Sequence, residues 1–228
     1  NLIQIEPDER VTAVIPIADY ADNDYLVMAT AKGYVKKTPL AEYDTSRQTG
    51  LIALTLAEDD QLIAVRRTSG DQEIMLITEQ GMAIRFPEAE VRPMGRTARG
   101  VMGIRLAAND RVIAMETLEP AAAAKELCII TEKGYGKRTP LAEFRPQGRG
   151  GKGLKTLTVT PKNGPIAGAR TVSPDDELML VSAEGIVIRV PVAELSVRSR
   201  YAQGVLVMRV GEGDRVVSVA RVMHAEED

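Results

Sequence analysis

Tryptophan is absent from these 228 residues, cysteine and histidine occur once each, and aromatic side chains make up only 4%. Each shortage excludes something. With a single cysteine, Cys128, no disulfide can form within the chain, as suits a reducing compartment. Cys128 lies in the apolar run Leu127-Cys128-Ile129-Ile130 and reads as a buried small hydrophobe. The one histidine, His224, has no partner for metal binding or acid–base work and reads as solvent-exposed. Few aromatics leave an aliphatic core and argue against base-stacking platforms. No apolar run approaches transmembrane length and no signal peptide opens the chain, so the reading is cytoplasmic with no membrane partner. Helix is nearly missing too: only Ala121–Ala124 looks helical, and it is too short to matter. The start, Asn1-Leu2-Ile3-Gln4, has no initiator Met and falls inside an alternating pattern, which suggests a piece of something longer.

What is present is a repeat. Hydrophobic residues make up 44% of the chain, enough for a sizeable core. The run Tyr25–Gly33 aligns with Glu73–Gly81, Glu126–Gly134 and Glu177–Gly185, the glycines being 48, 53 and 51 positions apart. Proline follows each glycine six residues later, as Pro39, Pro87, Pro140 and Pro191. A second glycine follows at Gly50, Gly100, Gly153 and Gly204. Each copy opens with an almost continuous apolar run such as Ile74-Met75-Leu76-Ile77, expected of a strand covered on both faces. The glycine makes a hairpin turn, a short mixed strand follows, and proline ends the pairing because it has no N–H to give. A third and a fourth strand are expected to form another hairpin. In the first copy these are Leu51–Leu56 and Leu62–Arg66, joined through Ala57-Glu58-Asp59-Asp60. Leu2–Ile5, Glu6–Glu9 and Val11–Ile17 fit the back hairpin of a copy whose front half is missing.

Four-strand units of about 50 residues fit propeller blades. The expectation is an all-β, propeller-like fold of four full blades at 25–68, 73–118, 126–172 and 177–223, plus part of a fifth over 1–20. The apolar runs are taken as the blades' inner strands.

Charge is sorted by position in the repeat. The 29 Lys and Arg against 32 Asp and Glu give a net charge of −3, which by itself argues against nucleic acid. Basic residues nevertheless gather on the second strand and the long loop: Lys36, Lys37, Arg47, Arg85, Arg92, Arg96, Arg99, Lys137, Arg138, Arg145, Arg149, Lys152, Arg189, Arg198 and Arg200. Acidic residues gather in hairpin turns and inter-blade links, such as Glu58-Asp59-Asp60 and Asp175-Asp176-Glu177. Because equivalent positions in a radial repeat lie at similar places on the disc, one basic rim is expected.

The densest stretch is Arg145-Pro146-Gln147-Gly148-Arg149-Gly150-Gly151-Lys152-Gly153. It is not a nucleotide-binding P-loop. The position of the first glycine is Pro146, and Gly153 stands where Ser or Thr would hold magnesium. Equivalent loops end at Gly50, Gly100 and Gly204 and each carries Arg, so this is an enriched version of a shared basic loop. Glycines let backbone N–H groups approach phosphate oxygens while Arg149 and Lys152 neutralise charge, giving largely sequence-independent contact.

At Gly-Tyr-Val-Lys-Lys-Thr-Pro-Leu (33–40), its repeat at 134–141, Ile84-Arg85-Phe86-Pro87 and Arg92–Gly100, the chain resembles the C-terminal domain of the A-type polypeptides of DNA gyrase. Gln147–Gly153 resembles that family's gyrase box, Gln-Arg-Arg-Gly-Gly-Lys-Gly, and departs from it at Gly148. The paralogous topoisomerase IV polypeptide shares the repeat but usually lacks or degrades the box. The resemblance implies a β-pinwheel whose basic perimeter wraps double-stranded DNA and supports ATP-dependent negative supercoiling. The expected contacts are Arg145, Gln147, Gly148, Arg149, Gly150, Gly151, Lys152 and Gly153, with Lys36, Lys37, Arg47, Arg92, Arg96, Arg99, Lys137, Arg138, Arg198 and Arg200 on the rim. It further implies no catalysis and no cofactor in this part, ATP and Mg acting elsewhere. The partners would be the remainder of gyrase A and, through it, gyrase B. The register suggests that the first blade, which normally carries the principal box, is not here. A protein-interaction propeller is the alternative from a different class.

Overall fold

The computed structural model describes residues 11–20, 23–45, 50–119 and 125–222. The readings at Arg47, Ala121–Ala124, His224, Leu2–Ile5 and Glu6–Glu9 fall outside these. The fold is all-β and propeller-like, with four successive sheets and no α-helix among the described residues.

The first hairpin of each repeat forms as its pattern dictates. It pairs β1 (Tyr25–Thr30) with β2 (Tyr34–Pro39), β4 (Glu73–Thr78) with β5 (Met82–Pro87), β8 (Glu126–Thr131) with β9 (Tyr135–Pro140) and β12 (Glu177–Ser182) with β13 (Val187–Pro191). A hydroxyl closes every turn: Thr30, Thr78, Thr131 and Ser182 accept the N–H of Tyr34, Met82, Tyr135 and Ile186. Beyond each proline the chain makes one 3-10 turn: Leu40–Tyr43, Glu88–Glu90, Leu141–Glu143 and Val192–Glu194.

The second hairpin is where the structure departs from the sequence reading. Leu51–Leu56 forms no strand. The segments equivalent to its start are two-residue strands, and they pair outside their own repeat. These are β6 (Val101–Met102), β10 (Leu154–Lys155) and β14 (Val205–Leu206), which add to β2, β5 and β9 of the preceding repeat. The long strands β3 (Leu62–Thr68), β7 (Val112–Leu118), β11 (Ile166–Val172) and β15 (Val216–Val222) instead pair with β1, β4, β8 and β12. Each of the first three sheets is thus completed by the next repeat, in the orders β3-β1-β2-β6, β7-β4-β5-β10 and β11-β8-β9-β14; the last is β15-β12-β13. Val11–Ile17 is not a strand either; Ile15 and Ile17 pack on the outer face of the first sheet.

Strands β3, β7, β11 and β15 lie next to one another in succession and so line the axis. The continuous apolar runs are therefore the second strands of the sheets, not the innermost. In the first three sheets they are buried because both faces are covered. Apolar layers fill the space between successive sheets, such as Met75, Ile77, Leu127 and Ile129 between the second and third. Each such side chain contributes about 1.5–3 kcal/mol through burial. Cys128 belongs to the layer between the third and fourth sheets, and burial pushes its thiol up to about 12. The face of the last sheet turned away from the third leaves Met179, Val187 and Ala220 exposed.

Lysines of the second strands, expected on the rim, are interior. Lys36 and Lys137 are 1% and 0% exposed. The Lys36 ammonium donates to the carbonyls of Ala53 and Arg96, and Lys137 to those of Ser199 (2.6 Å) and Arg200 (2.9 Å). Both therefore pin the loop that the following repeat lays across the sheet edge. Lys37 is buried against Glu88 at 3.6 Å and over the Tyr25 ring. Arg85, Arg138 and Arg189 pair within their hairpins with Glu73, Glu126 and Glu177.

Burial drives the Lys36 and Lys137 ammonium groups down to about 8; Glu42 and Glu143 oppose the shift, and Arg96 and Arg200 add to it. From pH 8 to about 10 the folded lysines have released protons that the unfolded chain still holds. Stability is therefore expected to rise with pH across that window. Urea unfolding at several pH values should show the rise, and Lys36→Met with Lys137→Met should flatten it. An unchanged pH slope in the double variant would assign the rise to other groups.

Candidate nucleic-acid interface

Three loops recur on the outer edges of the first three sheets, away from the axis. They cover 92–100, 145–153 and 196–204, and each runs from the edge of the preceding sheet into the short strand lent to it. The same backbone bonds dock all three. Met94, Gln147 and Arg198 donate their N–H to the carbonyls of Lys37, Arg85 and Arg138 at 2.9, 2.7 and 2.9 Å. Arg96, Arg149 and Arg200 donate theirs to Glu42, Glu90 and Glu143, which sit in the 3-10 turns of the preceding repeats. The loop reading predicted exposure and positive charge; the structure adds that the backbone is fixed.

The closing glycine is required by a close approach. Gly153 has φ +76°, and a Cβ there would lie 2.4 Å from the Ala83 carbonyl oxygen. Gly100 and Gly204 face the carbonyls of Val35 and Gly136 in the same way. Gly148 differs: its φ is not left-handed, and a Cβ would meet only Glu90 Oε2, at 4.0 Å. A side chain fits at that position.

Within the 145–153 loop the side chains divide into two sets. Arg149 is half-buried, donating Nε to the Glu90 carbonyl and Nη1 to the Met102 carbonyl, both at 3.0 Å. Arg145 and Lys152 are exposed. Gln147 is half-buried, with an Nε2 that lacks a hydrogen-bond partner among the described residues. Gly150 donates its N–H to the Gly103 carbonyl, and Gly151 accepts from the N–H of Arg105.

The other loops follow suit. Arg200 matches Arg149: its Nη1 donates to the Lys155 carbonyl at 2.9 Å, and its guanidinium lies over Tyr201. Arg92, Arg99 and Arg198 are exposed, with Arg99 resting 5.6 Å over the Tyr34 ring. Arg96 is half-buried.

The structure therefore gathers Arg92, Arg99, Arg145, Lys152 and Arg198 as exposed cations with no ion pair to described residues. It keeps Arg96, Arg149 and Arg200 beside them as loop anchors. It does not bring Lys36, Lys37, Lys137 or Arg138 to the surface of these loops; each is committed to carbonyls or a carboxylate inside the fold. Three further exposed cations flank the lent strands and were missed in the sequence: Arg105, Lys155 and Arg209. Their signal was position, two to five residues beyond the closing glycine. Among the described residues no group of three His, Cys, Asp or Glu is gathered to hold a metal ion, and no helix is long and apolar enough to cross a membrane.

Comparison with known proteins matches this arrangement. A family model described as the DNA gyrase C-terminal domain, beta-propeller, fits residues 24–69, 72–119, 125–173 and 176–223. The DNA gyrase A polypeptide of Staphylococcus aureus (strain NCTC 8325 / PS 47) is 42% identical over 229 residues, covering 100% of this chain and 26% of that protein. Its Staphylococcus epidermidis counterpart (strain ATCC 12228 / FDA PCI 1200) gives the same figures. The chain thus spans about a quarter of the length of the curated relatives it matches. Among solved structures, the C-terminal domain of a DNA topoisomerase IV superposes with a TM-score of 0.91 at 30% identity, covering 97% of this chain and 68% of that one. A DNA gyrase A C-terminal domain superposes at 0.87 and 26% identity, covering 97% and 73%. With all four of its repeats matched, the chain belongs to the DNA gyrase C-terminal domain family of beta-propellers.

Proposed function

We propose that the chain binds duplex DNA along its perimeter and bends it, as the wrapping part of a DNA gyrase A polypeptide. One observation carries the reading. Arg92, Arg99, Arg145, Lys152 and Arg198 stand exposed and unpaired among the described residues, on loops that dock identically on successive sheets. Each cation that meets a phosphate releases condensed counterions. Bending a 20–30 base-pair segment costs on the order of several kcal/mol, so many weak contacts spread along the edge are needed. Nothing on these loops enters a groove as a rigid element, and the contact is to backbone phosphates. Wrapping would present a neighbouring DNA segment in a fixed sense, supporting negative supercoiling by the whole enzyme. In this reading the chain does no chemistry. ATP and Mg act elsewhere, and the partners are the remainder of gyrase A and, through it, gyrase B, on nucleoid DNA in the cytoplasm.

A topoisomerase IV polypeptide is the second reading, favoured by the 0.91 TM-score to that enzyme's C-terminal domain. The 145–153 loop, with its near-complete box, favours gyrase.

If about five to eight phosphates are neutralised, log K should fall with log salt at a slope of roughly −4 to −7. Fluorescence anisotropy with a labelled duplex measures it, and a slope near zero would sink the proposal. Arg149→Ala with Lys152→Ala removes one anchor and one free cation, as does Arg200→Ala with Arg198→Ala in the next loop. The first pair is expected to weaken binding and bending more. Equal losses would deny the 145–153 loop any special part. In the complete enzyme the first pair should abolish supercoiling while relaxation persists. Gly148→Arg should fold normally, tighten binding and steepen the salt slope by about one. Weaker binding with an intact fold would show that the bare glycine backbone is itself a contact.

A further inference from the structure

A second cationic site lies at the opposite edge of the sheets, on the axis. A cavity of about 290 Å³ opens where β3, β7, β11 and β15 end. Arg66, Arg170, Arg221 and Lys125 line it, against Glu116 and Glu119. The cations outnumber the carboxylates two to one, in a chain whose net charge is negative.

Glu116 pairs loosely inside it. Glu116 Oε1 stands 3.5 Å from Arg66 and 3.7 Å from Arg170, farther than the 2.7–2.9 Å or so of a tight charge-assisted bond. Its Oε2 accepts the Thr171 N–H at 3.1 Å. Arg221 reaches Asp176 at 3.7 Å and donates to the Thr171 carbonyl. Burial, with Arg66 and Arg221 nearby, lowers the Arg170 pKa against the pull of Glu116. Three guanidiniums and an ammonium gathered around one cavity are a donor set for an oxyanion.

We propose that this axial cavity binds a small phosphate-class anion, of the size of inorganic phosphate or pyrophosphate. Ligand pockets start near 300 Å³, so the volume suits such an anion and excludes a duplex. The site is separate from the perimeter, where Arg145 and Lys152 lie, and does not depend on the DNA-binding reading. An anion held between Arg66, Arg170 and Arg221 bridges three of the four sheets, so its binding stabilises the packing of repeats around the axis.

Calorimetric titration of the chain with sodium pyrophosphate, and separately with inorganic phosphate, at ionic strength balanced with sodium chloride, tests the proposal. One saturable site is expected, together with a thermal midpoint that rises with anion concentration. Arg170→Gln should weaken binding by about tenfold or more, as loss of a charged hydrogen-bond donor does. Glu116→Gln removes the competing carboxylate and should tighten it. Arg145→Ala with Lys152→Ala should leave it unchanged. The proposal fails if neither anion binds, or if a folded Arg170→Gln and a folded Glu116→Gln both bind as the parent does. It fails too if the perimeter pair abolishes binding, which would place the anion on the loops.

Discussion

The contact on which the architecture depends is between the turn glycine of one repeat and the lent strand of the next. The carbonyl of Gly33 accepts the N–H groups of Gly103 and Ile104; that of Gly81 accepts Thr156, and that of Gly134 accepts Val207 and Met208. These approaches leave no room for a side chain. A Cβ on Gly134 would sit 1.9 Å from the Met208 carbonyl oxygen. Such bonds make each of the first three sheets the product of two repeats. They also decide where the basic loops go, because a loop that leads into a lent strand must cross the outer edge of the sheet that receives it. The perimeter position of the cations is thus a consequence of strand lending, and needs no separate cause.

The loops are held in two ways, and the difference explains the glycines of 145–153. In the first and third sheets a buried lysine collects loop carbonyls, Lys36 that of Arg96 and Lys137 that of Arg200. The equivalent residue of the second sheet is Ile84, which offers no donor. There the loop closes down instead, with a Cβ on Gly151 lying 3.5 Å from Ile84 Cδ1. Backbone bonds to Gly103 and Arg105 take over. Close packing on an isoleucine and direct backbone pairing both favour a chain without side chains. The glycine richness on which the phosphate-binding proposal draws is therefore also the loop's means of attachment.

Much of this was legible in the sequence. The spaced glycines and prolines mark the first hairpins, since a left-handed turn and a missing N–H are local demands that a residue type declares. Strand lending was not legible. Val101–Met102 and its counterparts are two residues long, too short for a period, and their partners lie about 70 positions away in the preceding repeat. Alternation along β2 and β9 could not reveal that Lys36 and Lys137 are buried either. It reports which face a side chain takes, and here both faces are covered. Arg105, Lys155 and Arg209 escaped because the basic segment was taken to end at its glycine, whereas the chain continues along the same edge.

Net charge is a poor guide to what the perimeter exposes, for a reason the structure makes plain. Much of the acid is fixed in turns. Asp60, Asp110 and Asp214 each accept two backbone N–H groups, one from the hairpin turn of their own repeat and one from the next residue. Glu42, Glu90 and Glu143 likewise hold loop backbone. Such carboxylates act as acceptors for particular N–H groups, and their positions are dictated by chain geometry. The cations divide the same way between anchors and exposed groups. What a polyanion meets at the perimeter is the set left over after these internal obligations are met. That remainder is basic, although the sum of all charges is not.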